Sequence, residues 1–276
     1  MSSYSVTAWA CNNKGKVRSN NEDNLYLDGK WIEKEKMDEG SICRVSSEQP
    51  LQFFAVCDGM GGEESGEIAS FTAVSHLDAI KQIGLPQNDL AAIQNGIVEL
   101  NNQVYAVAKA NDAQGHCGTT LTALLVSHKQ FITLNIGDSR VYLFRRGKLR
   151  QLTKDHTEVQ RMVDMGFLGA EAAKSHPKRH IITRHLGMNP EAGQIEATIS
   201  EVRKVRHGDL FVLCSDGLHD LITDDQIQLI LKQGGRSEEL VDAALDAGGS
   251  DNVTVITVLI MKKRWFSKET IGSDKS

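Results

Sequence analysis

The 276-residue sequence is poor in proline, with 4 in all, and no internal repeat or low-complexity linker divides it. No apolar run approaches the roughly 20 residues needed to span a bilayer. Met1-Ser2-Ser3-Tyr4 lacks the basic and apolar regions of an export signal. The net charge of -5 gives no ground for a nucleic-acid or anionic-membrane partner. Cys11, Cys43, Cys57, Cys117 and Cys214 are odd in number and form no CxxC pair. They read as buried free thiols in a reducing compartment, not as a disulfide framework or a zinc site. There is no GxxxxGK[ST] phosphate loop, and the aspartates lack EF-hand spacing. Gly59-Met60-Gly61-Gly62 imitates a dinucleotide fingerprint, but Glu64 stands where its third glycine belongs. The expectation is a cytoplasmic, monomeric protein.

What is present is an ordinary globular composition, 40% hydrophobic and 24% charged, on a chain long enough for a sizeable core. Residues 4–11 and Leu25-Tyr26-Leu27 alternate as strands, and residues 28–50 turn polar and read as a surface excursion. Phe53 to Cys57 fits a strand buried on both faces. Gly66 to Gly84 carries a helical stripe through Ile68, Phe71, Val74, Ser75 and Leu77. Ile93, Ile97, Leu100, Val104 and Val107 step by four and three along a second helix, and Ala69, Ala73, Ala106 and Ala110 offer small surfaces for close helix packing.

From Thr119 to Leu152 four short β-rich runs follow one another, with Arg146-Gly147 as a hairpin turn. Strands so closely linked must be antiparallel. A buried strand at 209–215, helices at about 224–233 and 237–247, and a strand from Thr254 to Met261 complete the pattern, before a polar tail. Regular strand–helix alternation is missing, so the fold class is α+β, with stacked antiparallel sheets and helices outside.

The chemistry gathers at aspartates beside strand ends. Phe53 to Cys57 stops at Asp58-Gly59, a dipeptide that alone means only a turn. The pattern recurs at Gly137-Asp138, at Ser215-Asp216-Gly217 and at Asp251-Asn252. If these strand ends converge, the carboxylates repel one another strongly unless cations sit between them. All-oxygen ligands select hard cations such as Mg²⁺ or Mn²⁺. Arg18, three residues before Asn21-Glu22-Asp23, has the fork to hold a phosphate, and Glu22 could face a metal through its water. In isolation the same loop reads as a surface salt bridge. Lys178, Arg179 and Arg184, with His176, His180 and His185, fit either a solvated loop or an attractor for an acidic or phosphorylated substrate. Cys57 and Cys214 read as small packing residues.

Six motifs stand in one order: Arg18-x-x-Asn21-Glu22-Asp23, Asp58-Gly59-Met60-Gly61-Gly62, Gly118-Thr119-Thr120, Gly137-Asp138-Ser139-Arg140, Ser215-Asp216-Gly217-Leu218 and Asp251-Asn252-Val253-Thr254. With them the chain resembles the metal-dependent Ser/Thr protein phosphatases of the PP2C (PPM) family, bacterial stand-alone type, from about residue 5 to 260. The resemblance implies a β-sandwich flanked by helix pairs, with one catalytic domain over residues 1–262, a flap at about 155–185 and a polar tail at 263–276. It implies a two-metal Mn²⁺ or Mg²⁺ centre in which Asp58 bridges both ions. Asp216 and Asp251 complete one shell, the Gly59 carbonyl and Glu22 (through water) serve the other, and Asp138 with Asp216 holds a third, weaker ion. Arg18 binds the substrate phosphate and Asp23 supports the ligands.

The implied reaction is attack by a metal-activated hydroxide on phosphoserine or phosphothreonine in proteins, opposing a bacterial Ser/Thr kinase. One departure stands out: Met60 occupies a position where eukaryotic members often carry a histidine proposed as general acid. Two alternatives share these residues, a non-enzymatic phosphoprotein-binding relative and a hydrolase of small phosphate esters.

Overall fold

A computed structural model describes residues 4–61, 65–85, 90–113, 117–127 and 129–262. Gly62, Glu64 and the tail 263–276 lie outside the described residues. In chain order, β1 (Tyr4–Asn13), β2 (Asp23–Leu27), β3 (Ser41–Ser47) and β4 (Leu51–Met60) precede the helices α1 (Ser65–Ser75), α2 (Leu77–Ile83) and α3 (Ala91–Ala110). Then come β5 (Gly118–Thr119), β6 (Leu121–Ser127), β7 (Gln130–Ile136), β8 (Arg140–Arg145) and β9 (Lys148–Gln151), followed by α4 (Glu158–Asp164) and α5 (Ala170–Lys174). The last part holds β10 (Thr198–Ile199), β11 (Arg203–Lys204), β12 (Leu210–Cys214), α6 (Asp216–His219), α7 (Asp224–Lys232), α8 (Ser237–Asp246) and β13 (Val253–Lys262).

The strands form two sheets, ordered β3-β1-β13-β12-β8-β9 and β10-β7-β6-β4-β2, and every pairing in them is antiparallel. Successive side chains of a strand point to opposite faces, and here both faces are apolar. In β4, Phe54 and Val56 enter the layer between the sheets, while Phe53, Ala55 and Cys57 face α1, α2 and α3. In β12, Phe211 and Leu213 enter the same central layer, and Leu210, Val212 and Cys214 face α7 and α8. Three apolar layers therefore separate four layers of structure, the sandwich flanked by helices that the sequence predicts. Truncating a wholly buried aromatic such as Phe54 in the middle layer costs about 3–5 kcal/mol.

Several expectations need correction. Residues 28–50 are not merely a surface excursion: a 3-10 turn spans Lys34–Glu39, and β3 pairs with β1 from Val6↔Ser47 to Asn12↔Ser41. As an edge strand with mostly exposed side chains, β3 has no buried face to impose an alternating signal. The helical stripe over 66–84 is two helices, because Ser75 and His76 both turn their side chains onto the Thr72 carbonyl and end the first turn sequence there. On α3 the buried small residue is Ala108, while Ala106 and Ala110 are exposed. Cys43 is exposed on β3; the other four thiols are buried, and all five are free. Arg146 and Gly147 both take positive φ, 54° and 75°, as a two-residue hairpin turn between β8 and β9 requires. Among the described residues no helix is long and apolar enough to cross a membrane.

Candidate metal centre

Antiparallel register decides which strand ends meet. Cys214 at the end of β12 pairs with Arg140 at the start of β8 and with Val255 near the start of β13. Val253 in turn pairs with Asn13 at the end of β1. Asp138, Asp216, Asp251 and the loop bearing Arg18 thus leave one sheet at one end. In the other sheet Asp23 at the start of β2 lies opposite Asp58 near the end of β4. The two ends coincide. The Asp23 carboxylate accepts hydrogen bonds from Ser215 Oγ and Thr254 Oγ1, both at 2.7 Å, and so ties the sheets together at the site.

Close backbone packing shapes the middle of the site. The Gly59 N–H donates to the Glu22 carbonyl at 3.1 Å. A Cβ on Gly59 would stand 2.2 Å from the Gly66 carbonyl oxygen and 2.5 Å from that of Glu22, so only glycine fits between β2 and α1. Asp58 is held from behind, its N–H donating to Thr120 Oγ1 at 2.9 Å and its carbonyl accepting from the Thr120 N–H at 2.8 Å. Asn252 fixes the approach loops: its Oδ1 accepts from the Glu22 N–H at 2.8 Å, and its Nδ2 donates to the Lys14 and Asn20 carbonyls.

The electrostatics follow from burying like charges together. Burial, then Asp23, Asp216, Asp138 and Asp251, push the Asp58 carboxyl well above the usual carboxylate range. Burial and Asp216 do the same to Asp138. Asp216 rises from 3.8 to about 7 through burial, Asp251 and Asp220, against the opposing effects of its hydrogen bond with Asp58 and the charge of Arg18. Asp23 also rises to about 7, through burial first, although its two hydroxyl donors favour the ionised form. Glu22 is raised by burial. Asp23 Oδ1 and Asp138 Oδ1 are buried and accept no hydrogen bond. Raised carboxyls and orphaned oxygens have one common remedy, a hard cation in oxygen coordination, so this donor set fits divalent Mg²⁺ or Mn²⁺.

Arg18 is half exposed and donates from Nη2 to Asp251 Oδ2 at 2.7 Å. The surface-ion-pair reading of its loop is therefore realised, but with a partner 233 residues away and at the rim of the carboxylate group. Arg18, Asp216 and Asp251 line one side of a cavity of about 370 Å³, and Arg179 and His180, from the segment between α5 and β10, line the other. All eight predicted site residues, Arg18, Glu22, Asp23, Asp58, Gly59, Asp138, Asp216 and Asp251, belong to this one end of the sandwich. Sequence reasoning missed the roles of Ser215 and Thr254, which hold Asp23, and of Asn252, which orders the loops; all three stood inside the quoted motifs. It also missed Asp220, for which the sequence carried no signal.

Residues 12–163 match the family profile described as Protein phosphatase 2C. The serine/threonine protein phosphatase PstP of Mycobacterium tuberculosis is 38% identical over 255 residues, which cover 90% of this chain and 43% of PstP. The serine/threonine phosphatase Stp of Listeria innocua is 32% identical over 253 residues, covering 89% of this chain and 92% of Stp. The chain therefore spans less than half of the mycobacterial relative and nearly all of the listerial one.

A crystal structure of PstP superposes with a TM-score of 0.76 at 34% identity, covering 93% of this chain and 99% of that structure. The PstP catalytic domain in complex with two manganese ions gives a TM-score of 0.70 at 32% identity, with the same coverage. With a matching profile over more than half its length, relatives of this identity and the carboxylate-lined end of a helix-flanked sandwich, this chain belongs to the protein phosphatase 2C family.

Proposed function

We propose that the chain is a Mn²⁺- or Mg²⁺-dependent phosphatase acting on phosphoserine and phosphothreonine in proteins, with residues 1–262 as one catalytic domain. The observation that carries the reading is the gathering of Asp58, Asp138, Asp216 and Asp251 at one end of the sandwich beside the half-exposed Arg18 guanidinium, a combination that suits a phosphate held between cations and Arg18. A pair of such cations, when bound, supplies a nucleophile from water near neutral pH and neutralises charge on the phosphoryl oxygens. Asp58 feels the charges of Asp23, Asp216, Asp138 and Asp251 alike, and this central position would suit a ligand shared by both ions. Asp216 and Asp251 would hold one ion, the Gly59 carbonyl and Glu22 (through water) would hold the other, and Asp138 with Asp216 would hold a third. Asp23 holds Ser215 and Thr254 beneath them. Arg18, released from Asp251, turns its fork to the phosphate and stabilises charge on the equatorial oxygens as the leaving oxygen departs.

The proposed partner is a bacterial Ser/Thr kinase with its phosphorylated targets, and the proposed compartment is the cytoplasm. The test is hydrolysis of phosphothreonine peptides with and without EDTA, in the parent protein and in Asp58→Asn and Asp216→Asn. Full turnover in EDTA, or in either variant, would sink the reading.

A further inference from the structure

With Met60 beside the centre, no proton donor for the leaving oxygen is supplied by β4. An alkoxide leaving unprotonated is a poor leaving group, and a positioned acid contributes about 10²–10⁴ in rate. Among the described residues lining the cavity with Arg18, Asp216 and Asp251, one imidazole is present, that of His180. Its side chain is 48% exposed, and its Nδ1 lies 3.0 Å from Asp220 Oδ2. A carboxylate on one ring nitrogen fixes the orientation of the ring and leaves the other nitrogen for proton exchange. Burial pushes the Asp220 carboxyl up, but the hydrogen bond and charge of His219 and the charges of His180 and Arg179 outweigh it and keep it ionised. His219 cannot take the same part, since its Nε2 lies 3.2 Å from the Asp138 carbonyl inside the fold and its side chain is 4% exposed. His156 is likewise engaged at both nitrogens, by the Gly137 N–H and by Thr198 Oγ1.

We propose that His180, oriented by Asp220, is the proton donor to the seryl or threonyl oxygen leaving phosphorus. The assignment rests on the phosphatase reading above. As the water-derived oxygen bonds to phosphorus, the bond to the side-chain oxygen breaks, its electron pair stays on that oxygen, and the Nε2 proton of His180 moves onto it. The imidazole then regains a proton from solvent.

The experiment compares His180→Asn and Asp220→Asn with the parent protein, all loaded with Mn²⁺, on a phosphothreonine peptide and on p-nitrophenyl phosphate. The nitrophenolate leaves without protonation, so only the peptide reaction needs the acid. His180→Asn is expected to lower kcat on the peptide by about 10² more than on the aryl ester, with thermal unfolding unmoved, and Asp220→Asn to show a smaller bias in the same direction. Equal losses on both substrates overturn the assignment. Loss accompanied by weaker Mn²⁺ binding in a calorimetric titration also overturns it and makes His180 a ligand, since its nitrogen and the oxygens of Asp216 and Asp220 all lie within 4.8 Å of one another. A parent protein inert on both esters would refute the phosphatase reading and this inference with it, whereas an active parent with equal losses refutes the inference alone.

Discussion

Replacing Asp23 by asparagine should stabilise the metal-free protein at alkaline pH and leave it unchanged at acid pH. Asp23 is 1% exposed, faces Asp58 across the β2–β4 pair, and has one oxygen with no partner. Burial, with the charges of Asp216 and Asp251, pushes its carboxyl in the fold up from the usual 3.8 to about 7, against the two hydroxyl donors. Below about pH 4 both folded and unfolded chains hold the proton, and Asp23 costs nothing. Between about pH 4 and 7 the folded chain keeps a proton that the unfolded chain gives up, so stability falls as pH rises. Above about 7 the cost is constant, on the order of 4 kcal/mol at most, because each pKa unit is worth about 1.4 kcal/mol and Asp58 and Asp216 share the same repulsion.

Asparagine is nearly isosteric, can still accept from Ser215 or Thr254, and carries no charge. The assay is urea unfolding in EDTA at about pH 4.5, 6 and 8. The parent midpoint should drop with pH more steeply than that of Asp23→Asn, which keeps the raised carboxyls of Asp58, Asp138 and Asp216, and the two should meet at the acid end. Mn²⁺ should raise both midpoints at pH 8, since both proteins keep the ligating carboxylates and binding to the folded state adds stability. Parallel pH profiles for the two proteins in EDTA would refute the argument that buried like charges destabilise this end of the sandwich.

Gly59→Ala should lower stability by more than about 2 kcal/mol, read from the unfolding midpoint, because its Cβ meets two backbone carbonyls that cannot both move; it should also weaken Mn²⁺ binding by displacing the adjoining carbonyl. Arg18→Lys should raise KM for phosphopeptide about tenfold while leaving thermal stability in place, since an exposed ion pair contributes at most about 1 kcal/mol and the bidentate fork is lost. A KM equal to that of the parent would remove Arg18 from phosphate binding.

The sequence by itself determined a great deal here, for a physical reason. Strands buried on both faces must be continuous apolar runs, and these ended at acidic residues that no core would tolerate unpaired. Asp58, Asp138, Asp216 and Asp251 were therefore legible as a group before any contact was known. Local turn chemistry was equally direct, as Arg146-Gly147 shows. What the sequence could not carry was anything resting on exposed or distant pairing. The edge strand β3 has no buried face and so no periodic signal, and the break between α1 and α2 depends on two side chains competing for one carbonyl.

The partners within the site were decided only by the tertiary structure. Nothing local to Arg18 names Asp251, nothing at Asp23 names Ser215 and Thr254, and nothing in a basic, histidine-bearing loop selects His180 over His176 or His185. Those choices come from antiparallel register, which brings the ends of β1, β4, β8, β12 and β13 to one place, and from the path that lays the 155–185 segment across it. Residue types set what chemistry was possible; the register of the two sheets set which residues share it.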